Sequence, residues 1–223
     1  MRGKKAVFMD RDGVVNELRY VSEHGRVETP LTPGQFRLIS GVARGIKALQ
    51  ASGFSVVIVS NQPGIAKGQF TPRMFDRIRQ RMQRLLEEEG ARVDGEYYCL
   101  HHPQALTRAY RASCDCRKPH PGLILQAARE GAFDLGASFM VGDGLVDVEA
   151  GSRAGCETIL ISHLSSLLTE AMTRKRIAPT YLAETFEEAV ECVLERDRSR
   201  RNGTRPAAVT PATQRRSAVV TLR

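Results

Sequence analysis

The 223-residue chain has no apolar run long enough to span a membrane, and because its opening Met1-Arg2-Gly3-Lys4-Lys5 leads straight into an apolar strand, the expectation is that it carries no signal peptide. Cysteine is sparse. Five of them, an odd number, do not form the disulfide framework of a small secreted domain. Acidic residues are missing from 198–223, which holds seven of the chain's 33 basic side chains and shows no hydrophobic periodicity. Residues 1–197 therefore balance 26 basic against 25 acidic groups, and the formal charge of +8 belongs almost entirely to the tail. This location excludes a basic face on the folded part as the reason for the charge. The chain is 42% hydrophobic, enough for one sizeable core, and the expectation is a cytoplasmic enzyme domain over 1–197 followed by a disordered basic tail over 198–223.

Two aspartates stand out where the first strand ends, in Val7-Phe8-Met9-Asp10-Arg11-Asp12-Gly13. They fall at the carboxyl end of a buried strand, the edge at which open α/β sheets place their ligands. Three later segments repeat the pattern of chemistry beside a strand or helix end. The strand 54–59 leads into Ser60-Asn61-Gln62; Arg117-Lys118-Pro119 precedes a helix; Phe139-Met140-Val141 runs into Gly142-Asp143-Gly144, with Asp147 four residues on. Taken singly, these are a turn hydroxyl, a solvated lysine and a helix cap. Together they make a site for phosphoryl transfer. A carboxylate attacking a phosphate dianion meets like charge, so a metal and a cation must neutralise the site first. Asp10 and Asp143 are the candidate metal carboxylates, and hard oxygen donors favour Mg²⁺. Asp10 is also the candidate nucleophile, and Asp12 the group that protonates the leaving oxygen and later takes a proton from water. Lys118, the Ser60 hydroxyl and the Asn61 amide are placed to hold the phosphate oxygens.

A second constellation lies between these segments. Cys99-x-His101, a gap of twelve residues and Cys114-x-Cys116 supply three thiolates and an imidazole, a closed set suited to structural zinc, with His102 as the alternative imidazole. The intervening loop 103–113 is polar and has no core of its own to order it. Cys156 and Cys192 remain as ordinary buried thiols.

Asp10-Arg11-Asp12-Gly13, Ser60-Asn61, Lys118 and Gly142-Asp143 resemble the motifs of the haloacid dehalogenase (HAD) superfamily of aspartate-nucleophile phosphatases. The longer strings 60–68, 97–103 and 114–122 are similar to the D-glycero-D-manno-heptose 1,7-bisphosphate 7-phosphatase family, related to the histidinol-phosphate phosphatases. The resemblance implies a Mg²⁺-dependent phosphatase acting on the 7-phosphate of the heptose bisphosphate through an aspartyl phosphate. It adds the backbone carbonyl of Asp12 as a metal ligand, selects His101 for zinc, makes Arg117 a substrate contact, and points to Asn16 and Tyr20 as contacts for the sugar. Gly144 departs from it, standing where many members carry a basic residue. A histidinol-phosphate phosphatase is the second reading, disfavoured because that family has a shorter stretch between the metal histidine and the C-x-C pair. A non-catalytic anion- or nucleic-acid-binding protein using the arginine tail is the third, and intact Asp10, Asp12, Lys118 and Asp143 weigh against it. A monomer acting on a small sugar phosphate, without a membrane partner, is the expectation.

Strands are expected at 5–9, 54–59, 96–100, 137–141 and 157–161, and helices at 41–51, 72–89, 121–129, 147–154 and 185–195. Strand and helix in alternation imply an α/β fold, and with the resemblance a Rossmann-like HAD fold: a central parallel sheet flanked by helices. The intervals 12–60 and 61–117 are too short for a large cap domain, so the loop 19–33 and the zinc-braced loop are left to select the substrate.

Overall fold

A strand covered by helices on both sides must be apolar on both faces, and β1 (Lys5–Met9) is such a strand. Val7 and Met9 enter one hydrophobic cluster, while Ala6 and Phe8 enter the other. The computed structural model describes residues 3–23 and 25–202. Its main sheet also contains β4 (Phe54–Asn61), β5 (Gly95–Cys99), β6 (Phe139–Gly142), β7 (Glu157–Ile161) and β8 (Tyr181–Ala183). The order is β5-β4-β1-β6-β7-β8, parallel throughout, so the strand bearing the paired aspartates is flanked by β4 and β6.

Helices α1 (Val42–Ala51), α2 (Pro72–Glu88) and α6 (Phe186–Arg201) cover the Val7 face; α3 (Gly122–Gly131) and α4 (Leu145–Ala154) cover the Phe8 face. α2 starts where Thr71 accepts a hydrogen bond from the Met74 N–H and Pro72 occupies the first turn. Its Phe75, Ile78, Met82 and Leu86 are buried at helical spacing, which makes the apolar stripe core packing. Helix α5 (Ser166–Lys175) buries no residue.

Several bounds differ from those expected. β6 begins at Phe139 because Leu135–Ala137 closes a 3-10 turn, and the Ser138 hydroxyl, not a strand carbonyl, receives the Ala6 N–H at 2.9 Å. The expected loop 19–33 contains a hairpin, β2 (Arg19–Val21) paired with β3 (Arg26–Glu28). Otherwise a 3-10 turn and α1 precede β4, and α2, β5 and the cysteine loop with its 3-10 turn follow it, so no cap domain is inserted among the described residues. α6 runs through the expected boundary at 197/198. Arg200 pairs with Glu157 of β7 at 2.7 Å, which ties the last turn to the sheet, and Arg201 pairs with Asp197 within the helix at 2.6 Å. The remainder of the expected tail, 203–223, lies outside the described residues. Among those described, no helix is long and apolar enough to cross a membrane.

Candidate active site

The register of three adjacent strands brings the acidic and cationic groups together. Met9 aligns with Ile58 of β4 and Val141 of β6, so Asp10 emerges beside the ends of both neighbours, its N–H bonded to the Val141 carbonyl at 3.0 Å. Lys118 is 3% exposed as a residue, and its ammonium has three acceptors: Asp10 Oδ2 at 3.0 Å, Asp147 Oδ1 at 2.5 Å and the Val59 carbonyl at 2.9 Å. Burial works against that ammonium, but Asp10 and Asp147 outweigh it and hold its pKa above the ordinary lysine value. Burial, the largest influence, pushes Asp147 up to about 6 against the opposing pull of Lys118.

Asp147 had no assigned part in the sequence. It sits at the third position of α4, where its Oδ2 accepts the Gly144 N–H at 3.1 Å. Gly144 thus contributes a backbone donor. Gly142 must be glycine because a Cβ there would fall 2.2 Å from the Asp147 Cβ. The only sequence signal for Asp147 was its spacing from Asp143, and an acid in the first turn of a helix reads equally well as a cap.

Ligand atoms of Asp10, Asp143 and Asp147 all lie within 4.8 Å of one another. Asp143 is pushed up to about 7 by burial and then by the charges of Asp10 and Asp147. Three crowded carboxyl groups facing one ammonium are short of positive charge, and oxygen donors so placed fit a hard divalent cation. Gly13 leaves them room. At φ 79° it turns the chain past Asp143, whose Oδ2 lies only 2.0 Å from where a Cβ would stand.

Asp12 is held from three directions. Arg11, 1% exposed, donates to Oδ1 from Nη2 at 2.8 Å and from Nε at 3.2 Å, and to Oδ2 from Nη2 at 3.0 Å. Asn16 Nδ2 donates to Oδ1 at 3.0 Å, and Gln62 Nε2 donates to Oδ2 at 2.5 Å. Asn16, expected to meet the sugar, is fully buried and divides its amide between Asp12 and the Glu17 carbonyl. Asn61 is likewise committed to the backbone: its side chain donates to the Lys118 carbonyl and accepts the Lys118 N–H, both at 3.0 Å. The buried Ser60 hydroxyl accepts from Gln62 at 3.1 Å. Arg117 donates to the His101 carbonyl at 3.2 Å. Tyr20 stands on the β2–β3 hairpin with Val27 as its cross-strand partner, and both are largely exposed. Arg11 and Gln62, quoted in the motifs without a part of their own, therefore belong to the site's framework.

The four sulfur and nitrogen ligands converge at the end of β5. Sulfur separations are 3.6 Å for Cys99 to Cys114, 3.3 Å for Cys99 to Cys116 and 3.1 Å for Cys114 to Cys116, all three thiols being free. His101 Nδ1 lies 4.0 Å from the Cys99 sulfur and 3.4 Å from that of Cys116. A tetrahedral zinc with bonds of about 2.3 Å needs sulfur edges of about 3.8 Å, so the cluster fits that ion with small adjustments. His102 instead accepts the Gln104 N–H at 3.1 Å. Burial, then the neighbouring thiols, pushes the Cys116 thiol up, the condition a bound cation reverses.

Comparison with known proteins follows the same lines. A HAD-hydrolase-like family profile matches residues 115–189. The D-glycero-beta-D-manno-heptose-1,7-bisphosphate 7-phosphatase of Photorhabdus laumondii is 39% identical over 184 residues, 82% of this chain and 94% of that protein. Its Escherichia coli K12 counterpart is 39% identical over 164 residues, 74% of this chain and 82% of that protein. The crystal structure of D,D-heptose 1,7-bisphosphate phosphatase from B. bronchiseptica, complexed with magnesium and phosphate, superposes with a TM-score of 0.70 at 30% identity, covering 86% of this chain and 99% of that one.

Proposed function

The chain belongs to the D-glycero-beta-D-manno-heptose-1,7-bisphosphate 7-phosphatase family of HAD-like phosphatases, and from that premise we propose that it hydrolyses the 7-phosphate of the heptose bisphosphate. The observation that carries the reading is the set of charges around Asp10: a buried ammonium shared with Asp147, and Asp143 within ligand distance. Asp10 and Asp143, with the Asp12 carbonyl, would hold Mg²⁺, whose chemistry is to neutralise phosphate oxygens.

The chain's own groups then do the following. Lys118, 3.0 Å from Asp10 Oδ2, orients that carboxylate for attack on phosphorus. As the Asp10–phosphorus bond forms, the phosphorus–ester oxygen bond breaks, and Asp12 gives its proton to the departing sugar oxygen. Water next attacks the aspartyl phosphate, returns a proton to Asp12, and restores Asp10 with release of inorganic phosphate. Ester and water become alcohol and phosphate. Arg117, on the rim beside Lys118, and Tyr20, on the hairpin, are the side chains left to meet the sugar. The cysteine cluster, holding zinc, would fix the loop from which Arg117 projects.

Acid quench during turnover of ³²P-labelled heptose bisphosphate tests the route. Label is expected on Asp10, and Asp10→Asn should abolish both labelling and turnover while the fold survives. Label on another residue would overturn the mechanism.

A further inference from the structure

Gln62 has no part in the steps above, yet its side chain is buried and its amide nitrogen reaches two site residues, Asp12 Oδ2 at 2.5 Å and Ser60 Oγ at 3.1 Å. Its backbone N–H donates to the Cys99 carbonyl at 2.8 Å. Of the three side chains that hold Asp12, two travel with it. Arg11 is its neighbour, and Asn16 closes the same turn through its N–H to the Arg11 carbonyl at 3.0 Å. Both contacts are internal to that turn, whose backbone is paired with β6 and with residues 37–39, through Asp10 N–H to Val141 and Ile39 N–H to Val15, but among the described residues makes no backbone bond to β4. Gln62 comes from beyond the end of β4, fifty residues away, and is the one of the three that ties Asp12 to a different strand.

We propose that Gln62 is a positioning residue for this reaction: it fixes the Asp12 carboxyl group relative to the β4 edge, and so sets the distance over which Asp12 exchanges a proton with the ester oxygen. The inference rests on the reading of Asp12 as the acid–base group. Its physical basis is that proton transfer falls steeply with distance, and that contacts within its own turn do not set where the Asp12 carboxyl lies relative to the β4 edge, whereas the Gln62 amide does. The Cys99 carbonyl anchors the backbone of Gln62, so the strand that begins the thiol cluster also helps to locate the acid.

The leaving group supplies a readout that a structural role would not move. A sugar ester departs as a basic alkoxide and needs the acid; p-nitrophenyl phosphate departs as a stable phenolate and needs it little. Gln62→Met keeps the length of the side chain and removes its donors. It is expected to lower kcat/KM for the heptose bisphosphate about tenfold, and for p-nitrophenyl phosphate by less than about twofold. Asp12→Asn, measured in parallel, should show a larger form of the same split. If Asp12→Asn splits the two esters and Gln62→Met lowers both alike or neither, the positioning role is overturned and the acid–base reading stands. If Asp12→Asn shows no split, both fall together. Should Gln62→Met not fold, as judged by circular dichroism, Gln62→Asn retains the amide but draws it back by one methylene, and the same comparison decides.

Discussion

Asp147 Oδ1 lies 2.5 Å from Lys118 Nζ, and both side chains are 1% exposed. An ion pair so dry is costly to break from one side, because the remaining charge has lost its water as well as its partner. Asp147→Asn should therefore lower stability by roughly 3 kcal/mol in urea titrations. Lys118 then keeps Asp10 as its one carboxylate partner beside the Val59 carbonyl, so kcat should also fall by about tenfold to a hundredfold. Unchanged kcat would mean that Asp147 does no more than cap α4.

Cysteine ligands predict a metal. Protein purified without added metal should hold about one zinc per chain by elemental analysis. Cys114→Ser should abolish that content and raise amide exchange in 103–113 before the sheet is affected, with KM rising because Arg117 follows Cys116 in sequence. Metal-free protein with an ordered loop and full activity would exclude the zinc site.

Glu157 gives a pH dependence of stability. Burial works against its carboxylate, but hydrogen bonds from Arg196 and Arg200 outweigh it and hold its pKa below the ordinary value. A carboxyl lowered on folding contributes stability that is full above its unfolded pKa of about 4.3 and fades as pH falls through the folded value. Glu157→Gln should thus be about 1 kcal/mol less stable than wild type at pH 7, and the gap should close on acidification below about pH 4.

The C-terminal helix predicts where the chain can be shortened. Ending it after Asp197 removes the Arg200–Glu157 and Arg201–Asp197 pairs and should lower Tm by about 4 °C. Ending it after Asn202 keeps both pairs and should leave Tm and kcat unchanged. Equal melting of the two would show that the last helical turn contributes nothing.

The legibility of this fold followed burial. β1 and β7 are found at the expected residues because fully buried parallel strands read as continuous apolar runs. β8, the hairpin strands and α5 escaped notice because strands of three residues and a helix with no buried face leave no period to read. The site divided in the same way. Asp10, Lys118 and Asp143 stand out as rare chemistry at strand and helix ends. Asn16, Asn61 and Gln62 are amides whose orientation is decided by what lies across the sheet, which local sequence does not carry. For Asn16 and Asn61, expected at the ligand, the fold directs the side chains to Asp12 and to the Lys118 backbone.

Asp10 and the end of β4 are spaced by backbone ladders in the middle of the sheet, whereas Arg117 and Tyr20 stand outside it, on the cysteine loop and on a separate two-stranded ribbon. These regions answer to different free energies of opening. A central ladder exchanges its amides only when the whole domain unfolds, while a segment outside the sheet opens alone at lower cost. Mild denaturant or chelation should then uncouple discrimination from rate: small unspecific esters continue to be cleaved after the preference for a sugar bisphosphate has been lost.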